Sequence, residues 1–173
     1  MNKCFYLFLL LIPLNGCGIY SFTGDSIDYT QVNTISISTF YNDAGNGPPN
    51  LNQTFTEALR DYYVRNSKLK LTESNGDLQL EGSITRYETR LQAPVSSSTN
   101  DDINDAGLER LTISVKAKYV NTTDDTFDFD KSFSFYADYD PNKNSFISIE
   151  DQLIEEITDQ LVIDIFNASV ANW

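Results

Sequence analysis

The sequence predicts an α/β two-layer sandwich in the order β-α-β-β-β-α, with a four-stranded mixed sheet and two helices on one of its faces. Alternation of apolar and polar residues marks four segments as half-buried strands. Two longer segments place apolar residues at helical spacing along one side. The order contains one βαβ unit, so the first two strands should be parallel, and short turns make the last three strands a meander.

The first strand is predicted at residues 31–40, where isoleucines alternate with threonines and serines. Residues 42–50 hold two glycines and two prolines, which end the strand. The first helix is predicted over residues 51–67, with Asn50 as its N-cap. The apolar stripe of this helix has five members: Leu51, Phe55, Ala58, Leu59 and Tyr62.

The second strand is predicted at residues 77–91, and its first half keeps leucine and isoleucine on one face. Arg86 and Arg90 continue that apolar face by parity. Two explanations stay open: the strand runs past the edge of the core, or a bulge changes its register.

The third and fourth strands are predicted at residues 111–120 and 127–139, with a turn at residues 121–125. Before them, residues 93–107 form a long loop rich in serine, asparagine and aspartate, of the kind that is usually functional or disordered. The last helix is predicted over residues 149–172. Its buried stripe has five members: Ile149, Leu153, Ile157, Leu161 and Ile165.

Each helix has a single apolar stripe, so both should cover the same face of the sheet. Phe133 and Leu161 are predicted to be buried between sheet and helix, with Ser132 and Ser134 on the opposite face. That opposite face is rich in serine, threonine, aspartate and lysine. It is therefore left to solvent or to a partner.

The amino terminus has the pattern of a secretory signal, in which Lys3 precedes an apolar run over residues 5–14. This run is too short for a permanent membrane helix, which needs about 20 residues. Small residues then meet Cys17, and the segment 14–17 resembles a bacterial lipoprotein signal. The resemblance implies that the Cys17 thiol receives a diacylglyceryl group, with cleavage just before it.

Three divisions of the chain follow: a removed signal at residues 1–16, a lipidated tether at residues 17–30, and one domain at residues 31–173. The alternative is an ordinary signal peptide with a chance cysteine. We favour lipidation, because Cys17 is the only cysteine after the apolar run. The other cysteine, Cys4, lies in the signal, so the mature chain cannot form an internal disulfide.

The chain is strongly acidic, with 12 basic and 25 acidic residues and a formal charge of −13. Removing the signal removes Lys3 and makes the charge −14. Nucleic acid is excluded as a partner, because its binding depends on lysine and arginine neutralising phosphates.

Catalytic constellations are absent from the sequence. It contains no histidine, and the mature chain has no cysteine besides Cys17, which excludes histidine triads, other thiol nucleophiles and ordinary zinc sites. Asp138, Asp140 and Asn142 imitate the start of an EF-hand, but Lys143 and Ile149 replace its glycine and glutamate, so we expect a turn. No metal, cofactor or enzymatic activity is predicted. A hydrolase using paired carboxylates stays open, although no pair stands out.

The basic residues of the predicted sheet are the candidate site. Lys116 and Lys118 share the outward face of the third strand, and Arg86 and Arg90 share one face of the second. Such cations suit the phosphates of a lipid headgroup or a partner surface. The alternative is cross-strand pairing with the many carboxylates.

Several segments of the mature chain have the character of one known family: residues 17–22 (Cys-Gly-Ile-Tyr-Ser-Phe), 34–37 (Thr-Ile-Ser-Ile), 51–61 with Thr-Glu-Ala-Leu-Arg-Asp at its centre, 76–84 (Gly-Asp-Leu-Gln-Leu-Glu-Gly-Ser-Ile), 111–115 (Leu-Thr-Ile-Ser-Val) and 161–173. With the lipobox and the element order, these segments resemble the lipopolysaccharide-assembly lipoprotein family LptE. The resemblance covers nearly the whole mature chain.

The resemblance implies a fold of two helices on a four-stranded sheet. It also implies a lipid-anchored protein of the outer membrane that plugs the large β-barrel LptD and helps it assemble. The barrel then delivers lipopolysaccharide to the outer leaflet. Lipopolysaccharide itself is a candidate ligand, and no contact residue is carried over from the family. The alternative is a free-standing periplasmic lipoprotein that binds a lipid or activates an envelope enzyme.

Overall fold

Two helices and one mixed sheet form two layers in a computed structural model, which describes residue 27 and residues 29–92 and 107–170. The elements in chain order are β1 (Thr34–Ile37), β2 (Tyr41–Asn42), α1 (Leu51–Asn66), β3 (Lys70–Thr72), β4 (Leu78–Leu91), β5 (Glu109–Asn121), β6 (Phe129–Tyr139) and α2 (Phe146–Ser169). The predicted signal, the lipidation site, most of the tether and of the long loop, and the last three residues lie outside the described residues.

The sheet confirms the predicted two-layer class but has six strands instead of four. Its order is β3-β1-β4-β5-β6, and β2 also pairs with β4. β1 runs parallel to β4 across α1, as the βαβ unit requires, while β4, β5 and β6 form the antiparallel meander. β3 was not predicted, because three residues are too short to show alternation.

The predicted first strand is shorter than expected, at Thr34–Ile37, and β2 follows it beyond the predicted end because Phe40 turns into the core between them. The Ser38 amide still bonds to the Leu80 carbonyl at 3.0 Å, but the Phe40 amide donates to the Thr56 hydroxyl at 3.0 Å. The Phe40 ring is fully buried and packs on Phe55 with centroids 5.3 Å apart. It occupies the space that a side chain at Gly82 of β4 would fill.

A bulge in β4 settles the position of the arginines. The register with β5 shifts between Ile84, which pairs with Val115, and Arg86, which pairs with Ser114. After the shift, Tyr87 faces the core and is buried, whereas Arg86 is exposed. Of the two explanations left open by the sequence, the bulge is confirmed.

The helices pack largely as predicted, although three members of the predicted stripes, Ala58, Tyr62 and Ile149, are only half-buried against the core. Tyr63, not Tyr62, is the fully buried tyrosine, and its hydroxyl shares a hydrogen bond with Ser169 of α2. Asn50 is the N-cap residue, but its side chain bonds Thr54 instead of the helix backbone. α2 begins three residues earlier than predicted and ends at Ser169.

Leu161 is fully buried, as predicted, but the prediction for Phe133 is wrong. Phe133 and its neighbour Phe135 only pack against the border of the core. They lie on β6, the last strand of the sheet, so no other described strand encloses their outer side. The turn expected before α2 is confirmed, because the Asp140 side chain accepts the Asn142 amide at 2.9 Å.

Buried tyrosines of the sheet donate hydrogen bonds to carboxylates on α2 and on β5. The Tyr87 hydroxyl donates to Glu150 at 2.5 Å, and the Tyr139 hydroxyl donates to Glu109. Burial, together with the Glu109 carboxylate, raises the pKa of Tyr139 to about 12. Burial also raises the pKa of Tyr63, Tyr87 and Tyr119 above the ordinary value.

We expect these tyrosines to make the fold sensitive to alkali. A phenol whose pKa is raised in the folded state contributes its full stability below pH 10, the ordinary tyrosine pKa, and for Tyr139 that stability is lost as the pH rises towards about 12. Tyrosinate absorbance and circular dichroism, followed together, should show the buried tyrosines ionising as the structure is lost. Ionisation of every tyrosine near pH 10 with unchanged dichroism would contradict this.

Candidate functional site

The side of the sheet away from the helices presents a row of polar side chains from each of three strands. We call it the polar face, and its members are Glu81, Ser83, Arg86, Glu88, Arg90, Arg110, Thr112, Ser114, Lys116, Lys118, Asp130, Ser132, Ser134, Tyr136 and Asp138. Their neighbours along β4 and β5 point to the core, because side chains alternate along a strand.

All four cations predicted from the sequence lie on the polar face. Lys116 lies between Ser83 and Ser132, and Lys118 lies between Glu81 and Asp130. The bulge in β4 turns Arg86 and Arg90 to the same side as the lysines. The structure therefore brings together residues that the sequence placed only strand by strand.

Both lysines form the cross-strand ion pairs that the sequence left as the alternative. Lys118 Nζ lies 3.0 Å from Glu81 Oε1, and Lys116 Nζ lies 3.1 Å from Asp130 Oδ2. The hydrogen bond to Glu81 raises the pKa of Lys118. All four side chains are about half exposed, and pairs of this kind contribute about 0–1 kcal/mol to stability. A ligand or partner can therefore replace either carboxylate at little cost.

The two arginines differ in what holds them. Arg90 Nε lies 2.8 Å from Glu88 Oε1 on its own strand, with both side chains exposed. Arg86 is exposed and has neither an ion pair nor a side-chain hydrogen bond within residues 29–92 and 107–170. Of the four predicted cations, Arg86 has its charge available without giving up another contact.

Arg110 is a member of the site that the sequence prediction missed. Its guanidinium donates two hydrogen bonds to Asp138, at 2.7 and 2.8 Å, and lies 3.5 Å from the centre of the Tyr136 ring. The bonds to Asp138 raise the pKa of Arg110. Its parity with Lys116 and Lys118 was a usable signal, but the strand was predicted to begin two residues too late.

Two shallow depressions lie at the lysine end of the polar face. One of about 280 Å³ is bordered by Tyr41, Ser83 and Lys116, and a second of about 230 Å³ is bordered by Ser36 and Gln79. Both include Glu81 and Lys118. Both depressions offer charge and hydrogen bonds to a ligand. The described residues contain no group of three or more histidine, cysteine, aspartate or glutamate residues placed to hold a metal.

Charge is divided between the two layers. The polar face carries five cations and four carboxylates. α2 carries six carboxylates and no basic residue: Glu150, Asp151, Glu155, Glu156, Asp159 and Asp164. α2 is therefore strongly acidic, whereas the polar face is close to neutral. Neither described helix has the length and apolar composition that a membrane span requires.

Fold and site together define a two-layer α/β domain that offers a broad polar sheet surface for binding. Residues 32–169 match the sequence model of the lipopolysaccharide-assembly family LptE. The chain belongs to this lipopolysaccharide-assembly family.

Several solved structures are similar to the chain at low sequence identity. A hypothetical protein from Chlamydia trachomatis is 10% identical, with a TM-score of 0.52 over 79% of this chain and 97% of that one. An uncharacterized lipoprotein B from Nitrosomonas europaea is 13% identical, with a TM-score of 0.51 over 78% and 79%. A minor lipoprotein from Acinetobacter baumannii is 14% identical, with a TM-score of 0.48 over 78% and 90%. No curated protein matches the chain significantly.

Proposed function

We propose that the chain is an outer-membrane lipoprotein that plugs the β-barrel LptD and helps it assemble for lipopolysaccharide transport. The observation that carries the proposal beyond family membership is the polar face. It is broad, close to neutral and built of ion pairs and hydroxyls. The role is one of binding and positioning, so it needs no catalytic residues.

A barrel lumen is a suitable environment for such a face. The interior of a large membrane barrel is polar, whereas the cores of ordinary oligomer interfaces are apolar. Hydroxyls such as Ser114 and Ser134, which lie 3.0 Å apart, exchange hydrogen bonds with a polar wall or with bridging water. Long side chains at the ends of the face can exchange their exposed carboxylate partners for barrel groups at little cost.

The test is photo-crosslinking in cells. A crosslinking residue is placed at Lys116 and Ser134 on the polar face, at Glu155 on α2, and at Ser97 in the long loop. Adducts with one large outer-membrane protein at both polar-face sites support the proposal. Adducts at Glu155 alone would mean that the polar face is not the docking surface. Absence of adducts at every site, with Cys17 normally acylated, would favour the free-standing lipoprotein.

Acylation at Cys17 is expected to be decisive for membrane attachment. Two or three acyl chains hold a protein firmly on a membrane, whereas one chain is marginal. Radiolabelled palmitate should enter the wild-type chain and not Cys17→Ser, and the variant should leave the membrane fraction. Label retained in the variant would rule out this lipidation site.

Arg86, Arg90, Lys116 and Lys118 are the proposed contacts with lipopolysaccharide phosphates or with the barrel, and we expect Arg86 to contribute most. Arg86→Gln should weaken binding of purified lipopolysaccharide by about tenfold, since a charged hydrogen bond contributes about 1.5–3 kcal/mol. Lys118→Gln is the matched control and should lose less, because its charge is already paired with Glu81. Equal losses for the two variants would contradict the assignment.

A further inference from the structure

The outer edge of β6 is an unpaired strand edge within the described part of the chain. β6 has 11 residues and lies last in the sheet order. Its pairing with β5 is regular from Phe129 to Tyr139, without a bulge. Apart from this pairing, no backbone hydrogen bond joins it to any other described segment.

The centre of this edge lacks the devices that prevent strand addition. Proteins protect exposed edges with charges, proline, bulges or very short strands. Residues 132–137 (Ser-Phe-Ser-Phe-Tyr-Ala) contain no charge, proline or glycine, and β6 carries charges only towards its ends, at Asp130, Lys131 and Asp138. Six uncharged residues on an open edge, three of them aromatic residues of high strand propensity, are a template for pairing.

The side chains of the same stretch are only partly covered. Phe133 and Phe135 point to the helix side, where they pack against the border of the core and stay half exposed. On the other side, Ser132 and Ser134 belong to the polar face. A further strand beside β6 would cover both phenylalanines and continue both faces of the sheet.

We propose that the outer edge of β6 is a docking site for an extended segment of a partner protein, which adds to the sheet as a further strand. Main-chain hydrogen bonds would supply affinity, and alternate side chains would supply specificity. The segment that fits has apolar side chains at alternate positions, opposite Phe133 and Phe135. Its other side carries small polar residues, and it is not acidic.

A second copy of the chain fits this edge poorly. Antiparallel self-pairing centred on Ser134 places Asp130 opposite Asp138 of the second copy, and like charges opposite each other destabilise a sheet. Each copy also carries a formal charge of −13, so two copies repel each other.

The inference is independent of the barrel plug. A closed barrel has all its strands paired, so its wall offers no free strand to β6. The added segment must therefore be something other than a strand of the barrel wall. The polar face and the β6 edge can therefore be occupied at the same time by different partners.

The experiment is hydrogen-exchange mass spectrometry on the full mature chain in detergent micelles. The probe is a 13-residue peptide with the sequence of residues 109–121, which pairs with the inner edge of β6 and has a matching alternation. With saturating peptide, exchange of the outward-pointing amides of segment 129–139 should slow about tenfold. The control is the same peptide with Val115→Pro, which cannot complete the ladder.

Slowing with the peptide but not with its proline variant supports the proposal. Three results would overturn it: no slowing, equal slowing with both peptides, or slow exchange of the edge before peptide is added. The last result would mean that the edge is already covered. Protection that is independent of protein concentration would mean that a segment of the same chain covers it, and protection that rises with concentration would mean that a second copy does.

A protein variant checks the role of the half-exposed aromatics. Phe135→Thr removes one of the rings that the added strand would cover and should weaken peptide binding severalfold. Ser132→Thr changes the polar side of the same strand and should leave binding unchanged. Melting curves of both variants establish that the fold is retained, and equal peptide affinity for the two folded variants would contradict the proposed orientation.

Discussion

Replacing Leu161 with alanine is expected to lower the free energy of unfolding by about 2–5 kcal/mol. Leu161 is fully buried on the face of α2 that packs against the sheet. Removing its side chain loses apolar contact and leaves a cavity that the surrounding core fills only in part. Urea unfolding of the domain measures the loss directly.

Two matched variants give that measurement its controls. Ser132→Ala changes an exposed side chain on the polar face and should stay within about 0.5 kcal/mol of wild type. Phe133→Ala should fall between the other two, because the ring is only half buried. If Leu161→Ala and Ser132→Ala unfold alike, the assignment of the two sides of the molecule is wrong.

Gly82→Ala is expected to be at least as damaging, although it adds a single methyl group. An added Cβ would lie 2.1 Å from the Lys116 carbonyl oxygen and 2.5 Å from the Phe40 ring. The carbonyl belongs to the paired backbone of β5 and cannot move without breaking the ladder. We expect a loss of about 3 kcal/mol or more, at the upper end of overpacking effects.

Ser83→Ala is the control for this variant, because it changes the next residue of β4 on the polar side. It should unfold close to wild type. A wild-type melting temperature for Gly82→Ala would contradict the close packing of Phe40 over β4.

Much of the fold could be predicted from periodicity, because its long elements have clear patterns. α1 ends one residue from its predicted end, and β4, β5 and α2 were found with shifts of a few residues. The failures lie where tertiary contacts override local pattern. Phe40 leaves the strand because Gly82 leaves space for it, and nothing in the local alternation reports that space. Both tyrosine rings pack on Phe166, but Tyr63 is buried more deeply than Tyr62, because its hydroxyl finds a hydrogen-bond partner in Ser169.

The candidate site was predictable residue by residue but not as a surface. Parity alone placed Lys116 and Lys118 outward. The orientation of Arg86 depended on a bulge that the sequence allowed without requiring. The ion pairs to Glu81 and Asp130 depend on strand register, which is set by packing across the whole sheet.

The parallel pairing of β1 with β4 also sets an order of events during folding. Ile35 pairs with Leu78, 43 residues later in the chain, whereas the paired residues Tyr119 and Phe129 are only 10 residues apart. Closing the longer loop costs more chain entropy, so the β5–β6 hairpin should form before β1 pairs with β4. Until β4 is in place, Ile35, Ile37 and Phe40 have no strand to pack against. β1 therefore joins the sheet after the meander.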